Sequence, residues 1–224
     1  TQTRPFVTGR FQPSAYWFGA IILIAMFAIL ALALVTNILA AFFLFLGAFC
    51  YGVIYTVWLK RRTWWNIVVG GAAGSFAVMA GAAAVNAAME PAPLILALVL
   101  FLWTPPHFWA LAIYRRDDYA AADIPMLPVT HGVAFTRLHI LLYTILLFIV
   151  TMLPYLVGMS GVFYLIGAVL LGLGFLYYTI LMYFNHEDQL AMQTFSYSIV
   201  YLMLLFLSLI HISEPTRRYA ISYA

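Results

Sequence analysis

The amino-acid sequence predicts an all-α protein that crosses a membrane several times, and three observations support this fold class. Hydrophobic residues make up 66% of the 224 residues and charged residues only 8%, whereas about 25% of the residues in a soluble protein are charged. Seven apolar stretches have about the 20 residues that a helix needs to cross a bilayer. The charged residues fall almost entirely in every second connection between these stretches. Transmembrane β-strands are excluded because the apolar runs are continuous and too long.

The predicted spans follow one another closely. They cover residues 16–35, 38–58, 67–88, 94–114, 140–157, 162–184 and 190–207. The connections on one side are short and contain one charged residue, Glu90. The positive-inside rule assigns the other side, which we call the inner face, to the cytoplasm. The basic residues of this inner face are Arg4, Arg10, Lys60, Arg61, Arg62, Arg115, Arg116 and Arg137.

Composition and cysteine usage exclude several other classes. The isoelectric point is near 9.0, but no basic run lies outside the short membrane loops, so no nucleic acid partner is expected. Cys50 is the only cysteine, which leaves neither an internal disulfide nor a Cys-x-x-Cys metal pair. Gly70, Gly71 and Gly74 begin the third span, where they allow close helix packing, the interpretation we favour, or a cradle for phosphate.

The longest inner connection, residues 115–139, carries the most distinctive chemistry. It begins with Arg115, Arg116, Asp117 and Asp118. Adjacent carboxylates suit Mg²⁺, which binds through one or two carboxylates together with substrate phosphates, and the neighbouring arginines can pair with phosphate oxygens. This combination at the mouth of an apolar bundle indicates a diphosphate with a lipid tail. The alternative is a solvated loop held by local ion pairs.

The fourth predicted span contains two adjacent prolines, Pro105 and Pro106, which we expect to kink or break the helix. His107 follows them, and an ionisable residue at membrane depth is a functional candidate. Two interpretations remain open. His107 either packs in the bundle with a hydrogen bond to a carbonyl that the prolines free, or it contacts a porphyrin or ligates its iron.

Three ordered motifs resemble one known family. Residues 101–119 read FLWTPPHFWALAIYRRDDY and are followed by IPMLPV at residues 124–129. Residues 55–71 and residues 3–10 resemble earlier inner segments of the same family. Together, over residues 1–206, these motifs resemble the protoheme IX farnesyltransferases, a branch of the UbiA-type intramembrane prenyltransferases.

The resemblance implies a bundle of nine helices in a bacterial plasma membrane, with two aspartate motifs that face each other across a cavity on the cytoplasmic side. The first motif, of Asn-x-x-x-Asp type, would precede Thr1 together with two further spans. We therefore expect residues 1–206 to be a partial prenyltransferase domain that is inactive by itself. The last segment, residues 207–224, contains LSLIHISEPTR, which looks like the translation of a sequencing adapter, and we expect it to be non-native.

The resemblance also implies a reaction and its residues. A farnesyl group from farnesyl diphosphate, held with Mg²⁺, would be transferred to a vinyl group of heme B to give heme O. The further partners that the resemblance suggests are membrane lipid and heme A synthase. The second aspartate motif corresponds to Tyr114-x-x-x-Asp118. The residues implied are Asp118, Tyr114, Arg115 and Arg116 for catalysis, Arg4, Lys60, Arg61 and His107 for substrate binding, and Asp118 with Asp117 for the metal; Asp123 is a conceivable support.

Three alternatives compete with this interpretation. The first is a prenyltransferase of the same superfamily that acts on a quinone or chlorophyll precursor, and the Thr-Pro-Pro-His and Pro-Met-Leu-Pro strings argue against it. A secondary transporter would use the Pro105–Pro106 break as a binding site at the membrane midplane, but inverted repeats are not visible. A structural or assembly subunit leaves the one-sided cluster of acid and base unexplained.

Overall fold

The computed structural model describes Gly9, residues 14–185 and residues 187–221, without the side chains of Ala15 and residues 210–221. Every regular element within these residues is a helix. Ten α-helices and one π-helical segment follow in order: α1 (Ala15–Val35), α2 (Ile38–Phe49), the π-helix (Cys50–Leu59), α3 (Asn66–Ala84), α4 (Pro91–Tyr114), α5 (Arg116–Ala121), α6 (Leu127–Thr130), α7 (Val133–Val150), α8 (Leu153–Leu156), α9 (Val162–Phe184) and α10 (Asp188–Ile221).

The seven predicted spans are confirmed. Seven helical stretches are long and apolar enough to cross a membrane, and α2 joins the π-helix to form one of them, Ile38–Leu59. The largest difference in position concerns the fifth span, which runs over Val133–Leu156 and so begins seven residues earlier than residue 140. Gly132, with a φ of 83°, turns the chain into this helix. Arg137, which the sequence places in a loop, is therefore part of α7.

The helices form two connected groups around α4. Helices α1, α2, α3 and α4 pack in sequence order, each against the next. Helices α4, α7, α9 and α10 pack as a four-helix bundle, in which α4 contacts α7 and α10 while α9 contacts the same two helices from the opposite corner. Helix α4 thus belongs to both groups, and it determines how the inner ends of the other helices lie relative to one another.

Of the predicted kink or break in α4, the break does not occur, and the kink stays a prediction. The helix continues from Pro91 to Tyr114 with Pro105 and Pro106 inside it, and both prolines are buried. Each proline lacks an N–H group and so leaves one carbonyl of the preceding turn without its helical partner. Such carbonyls are tolerated in membrane helices that neighbouring protein covers, and α4 is covered by helices on three sides.

The glycines of α3 serve packing, as we favoured. A Cβ atom added to Gly70 would lie 2.8 Å from the Tyr55 ring, and one added to Gly71 would lie 3.1 Å from Cβ of Thr104. Cys50 is buried, as expected. The absence of side chains at Gly70 and Gly71 lets α3 approach the π-helix and α4 closely.

A cluster of buried apolar residues, which we call the inner core, lies beneath the inner face. Its members come from helices α3, α4, α6, α7, α9 and α10, and from Met126, which precedes α6. Its members are Ile67, Val68, Trp109, Ala110, Ala112, Ile113, Met126, Leu127, Ile140, Met182 and Ala191. Further cores fill the opposite half of the α4–α7–α9–α10 bundle and the contact between α2 and α3.

Helix α10 continues past the last membrane span to Ile221. The segment predicted to be non-native therefore begins within this helix, and Leu209 still packs in a buried cluster of the four-helix bundle. Residues 222–224 lie outside the described residues. The non-native origin of residues 207–224 stays a prediction.

Candidate active site

The charged run at the inner end of α4 forms two short-range ion pairs. Nη1 of Arg115 lies 3.2 Å from Oδ2 of Asp118, and Nε of Arg116 lies 3.3 Å from Oδ1 of Asp117. Tyr114, the last residue of α4, is 49% exposed. The Asp118 and Asp117 side chains are 70% and 92% exposed. Exposed pairs of this kind contribute about 0–1 kcal/mol, so the same groups can exchange these contacts for a charged ligand at little cost.

The segment after the charged run is anchored by apolar packing. Tyr119 and Ile124 are partly buried and pack against the inner core, and the N–H group of Ile124 donates to the Tyr119 carbonyl at 3.0 Å. Burial raises the pKa of the Tyr119 phenol, with a smaller lowering effect from Arg115 and a raising effect from Asp118. Tyr119 therefore stays protonated and neutral at physiological pH, and it links the charged run to the core.

Asp123 has a structural reason for its presence. Its φ of 50° lies in the left-handed region, where Asp and Asn are enriched among residues other than glycine. Its N–H group donates to the Ala120 carbonyl at 3.2 Å as the chain leaves α5. A turn requirement explains this residue without a role in metal binding.

The other inner connection meets the same core. Lys60 follows the π-helix, and its N–H group donates to the Tyr55 carbonyl at 2.8 Å, in the i→i+5 spacing of that helix type. Lys60 is half-buried, and Arg61 is exposed. Tyr55 and Trp64, on either side of these two cations, both pack against the inner core. The Lys60–Arg61 connection and the charged run at the inner end of α4 therefore both adjoin the inner core, the first through Tyr55 and Trp64 and the second through Tyr119.

His107 is a packed, hydrogen-bonded histidine. It is 7% exposed and stacks on Trp103 at a centroid distance of 4.1 Å and on Phe195 at 4.5 Å. Its Nδ1 lies 2.7 Å from Oγ of Ser198, which itself donates to the Phe195 carbonyl at 2.6 Å. Because that hydroxyl has only one proton, we assign the Nδ1 proton to His107 as the donor to Ser198.

This arrangement supports the packing interpretation of His107 with a different partner. The sequence suggested a carbonyl freed by the prolines, whereas the structure supplies the Ser198 hydroxyl from α10. The stacked rings and the Nδ1 bond leave Nε2 as the nitrogen open to a ligand. Sequence reasoning missed Ser198. Its one signal is the spacing of Thr194 and Ser198, four residues apart and therefore on one helix face, where both are buried.

The carboxylates at the site are few. Within the described part of the chain, no group of three or more His, Cys, Asp or Glu residues could hold a metal ion. The adjacent carboxylates of Asp117 and Asp118 are nevertheless hard oxygen donors that ligands can reach. Arg4, predicted to bind substrate, lies outside the described residues.

The fold and the site define a helical integral membrane protein with exposed charged residues at the inner end of its central helix. The chain belongs to the UbiA prenyltransferase family, whose sequence model matches residues 1–210. This confirms the family that the motifs resemble.

Curated relatives refine the comparison. The chain is 51% identical over 210 residues to the protoheme IX farnesyltransferase of Methylococcus capsulatus. The aligned region covers 94% of this chain and 70% of that protein. The chain is 50% identical to the protein of the same name from Alcanivorax borkumensis, with 94% and 69% covered. The chain therefore spans about 70% of the length of these relatives.

A solved structure confirms the fold. The structure of a digeranylgeranylglyceryl phosphate synthase matches with a TM-score of 0.77, covering 94% of this chain and 74% of that one. The sequence identity is 18%, so this likeness concerns the architecture alone.

Proposed function

We propose that this protein transfers the farnesyl group of farnesyl diphosphate to a vinyl group of heme B and so produces heme O. The observation that carries the proposal is the exposed Arg115–Asp118 run at the inner end of a membrane bundle, in a chain that is half identical to protoheme IX farnesyltransferases. An apolar bundle accommodates the lipid tail, and the charged end accommodates the diphosphate.

The residues at this end fit a diphosphate that arrives with Mg²⁺. The ion prefers oxygen ligands and binds through one or two carboxylates plus substrate phosphates. Asp118 and Asp117 provide two exposed carboxylates, each now paired only with a neighbouring arginine. When bound, Mg²⁺ would neutralise charge on the diphosphate oxygens, and Asp118, assisted by Asp117, is the residue that would hold it.

The basic residues would bind and activate the leaving group. Arg115 and Arg116, freed from their ion pairs, would contact the diphosphate oxygens, with Lys60, Arg61 and Arg4 as further cations of the inner face. Tyr114 would donate a hydrogen bond from the end of α4. These groups stabilise the negative charge that develops as the farnesyl C1–O bond breaks.

The electrons and atoms of the transfer balance without a covalent enzyme intermediate. The electron pair of the C1–O bond leaves with the diphosphate and generates an allylic farnesyl cation. The π electrons of the heme B vinyl group form the new carbon–carbon bond. Water captures the resulting cation and loses a proton, which gives a hydroxyethylfarnesyl side chain. The apolar bundle keeps other water from the farnesyl cation.

The proposal includes a location and a partner. The basic inner connections support a cytoplasmic orientation of the active-site end, in a bacterial inner membrane. Heme O would be released within the bilayer, so heme A synthase is a candidate for its direct recipient. Co-purification of the two proteins from membranes, compared with an unrelated membrane protein of similar abundance, tests this association.

The proposed activity is tested with heme B, farnesyl diphosphate and Mg²⁺ in detergent micelles. The chain is assayed alone and joined in frame to the part of the Methylococcus capsulatus relative that it does not cover, because we expect activity only in the joined form. Heme O is measured by mass spectrometry. A well-folded joined protein that forms none refutes the proposed reaction.

Two matched variants test the site within that joined protein. Asp118→Asn removes a carboxylate from the proposed metal position, and we expect heme O formation to fall by about 100-fold or more. Asp123→Asn makes the same chemical change five residues after Asp118, at a left-handed position that asparagine also tolerates, and should keep its activity. If Asp118→Asn keeps the same activity as Asp123→Asn and the unchanged protein, Asp118 is not part of the metal site.

A further inference from the structure

Arg137 is a buried cation without a hydrogen-bonding or ion-pair partner among the described residues. The residue is 4% exposed, although it carries a full charge near the inner end of α7. Its Nε atom is buried and makes no hydrogen bond. Asp188, at the start of α10, acts on it electrostatically, but the two ion pairs found in the described part of the chain involve other arginines. A buried guanidinium normally has an anion in contact with it, and none of the described residues makes such a contact with Arg137.

The guanidinium-bearing side chain lines an open groove between α7 and α9, which we call the α7–α9 groove. Its volume is about 530 Å³. Most of the groove wall is apolar or aromatic, with Phe135, Leu138 and Phe184 exposed at its surface. The lining residues are Ala134, Phe135, Arg137, Leu138, Tyr183 and Phe184.

The groove lies apart from the charged run at the inner end of α4. It lies at the first turns of α7 and the last turn of α9, which is the inner end of the bundle. Helix α9 occupies the corner opposite α4 in the four-helix bundle, whereas Asp118 follows the end of α4. The groove therefore lies on an edge of the bundle that α4 does not form, at the inner ends of two membrane-spanning helices.

We propose that the α7–α9 groove binds one anionic phospholipid, with its phosphate on Arg137 and an acyl chain along the aromatic wall. Arginine offers several N–H donors in a planar fork that suits phosphate oxygens. Basic pockets between membrane helices on the cytoplasmic side are known to bind anionic headgroups. A free phosphate would satisfy the charge but would leave the apolar wall uncovered, which is the reason for choosing a lipid as the occupant.

The test measures thermal unfolding of the protein in a neutral detergent while lipid is added. Phosphatidylglycerol is compared with phosphatidylcholine of the same acyl chains and with inorganic phosphate. A ligand that binds only the folded state raises the midpoint temperature in a concentration-dependent way. We expect phosphatidylglycerol to raise it at much lower concentration than the other two. An equal response to phosphatidylcholine or to inorganic phosphate overturns the proposal.

Two variants and a control locate the site. Arg137→Gln should weaken the apparent affinity for phosphatidylglycerol about tenfold, the factor for losing a charge-assisted hydrogen bond. Ala134→Phe keeps the charge but fills the groove, and it should weaken binding as well. Arg62→Gln removes an exposed cation of the same inner face and should bind as the unchanged protein does. If Arg137→Gln binds as Arg62→Gln does, the proposal fails; if Arg137→Gln does not fold, unchanged binding by Ala134→Phe refutes it.

Discussion

Replacing His107 separates its packing from its hydrogen bond. His107→Ala removes two aromatic contacts, each worth about 0.5–1.5 kcal/mol, and the bond to Ser198, for which membrane proteins give about 0.6–1.7 kcal/mol. We expect a total loss of about 2–5 kcal/mol in the free energy of unfolding. His107→Phe retains a ring between Trp103 and Phe195. The Ser198 hydroxyl still donates to the Phe195 carbonyl, so the loss should be about 0.6–1.7 kcal/mol.

The measurement is the free energy of unfolding in mixed micelles titrated with SDS, with the phenylalanine variant as the matched control for the alanine variant. Heme B binding is followed by absorbance on the same samples. Equal destabilisation by the two variants would show that stacking does not hold His107 in place. Loss of heme binding in His107→Phe at unchanged stability would contradict the packing interpretation and assign the ring to the substrate.

Three further predictions concern stability and use thermal or SDS unfolding as the measurement. Gly172→Ala would place a Cβ in collision with the Phe148 ring and should cost about 1–3 kcal/mol, whereas full stability would show that α7 and α9 separate easily. Asn37 accepts from the Ala40 N–H group as the cap of α2 and donates to the Ala83 carbonyl at 2.7 Å. Asn37→Ala should cost about 1–2 kcal/mol, and Asn37→Ser, which keeps a capping oxygen, should cost less. The raised pKa of Tyr119 contributes stability that is present below the ordinary phenol pKa and lost as the pH rises through the raised value, so Tyr119→Phe should lose less stability between pH 9 and pH 11, and an unchanged alkaline loss would contradict this.

The fold was predictable because the membrane restricts the choices. Lipid requires every backbone polar group to be satisfied within a helix, and a span therefore appears in the sequence as a continuous apolar run. The fifth span shows where this signal ends. Arg137 and His139 interrupt the hydropathy near its start, and the sequence alone cannot indicate that a groove accommodates the arginine inside α7. Gly132 is a local turn signal before the helix, but the apolar run from residue 140 gave the stronger indication of where the span begins.

The candidate site was predictable where its residues are neighbours in the sequence. Arg115 and Asp118 are three positions apart, so their proximity follows from helical geometry. The pairing of His107 with Ser198 joins residues 91 positions apart and depends on how α4 packs against α10. The helix is not broken at the prolines of α4 for a related reason. Their local effect is to remove hydrogen bonds, but both prolines are buried among neighbouring helices and the helix continues through them.

The charged run depends on the apolar layer beneath it. The Arg115–Asp118 pair is too exposed to fix its own geometry. The inner core, in contrast, buries Trp109 and Leu127 almost completely and joins α4 to the segment that follows α5. Because the Lys60–Arg61 connection rests on the same layer through Trp64, the apolar packing determines how the two groups of charges are placed. The ion pairs are therefore free to exchange partners when a ligand binds, while the backbone that carries them stays in position.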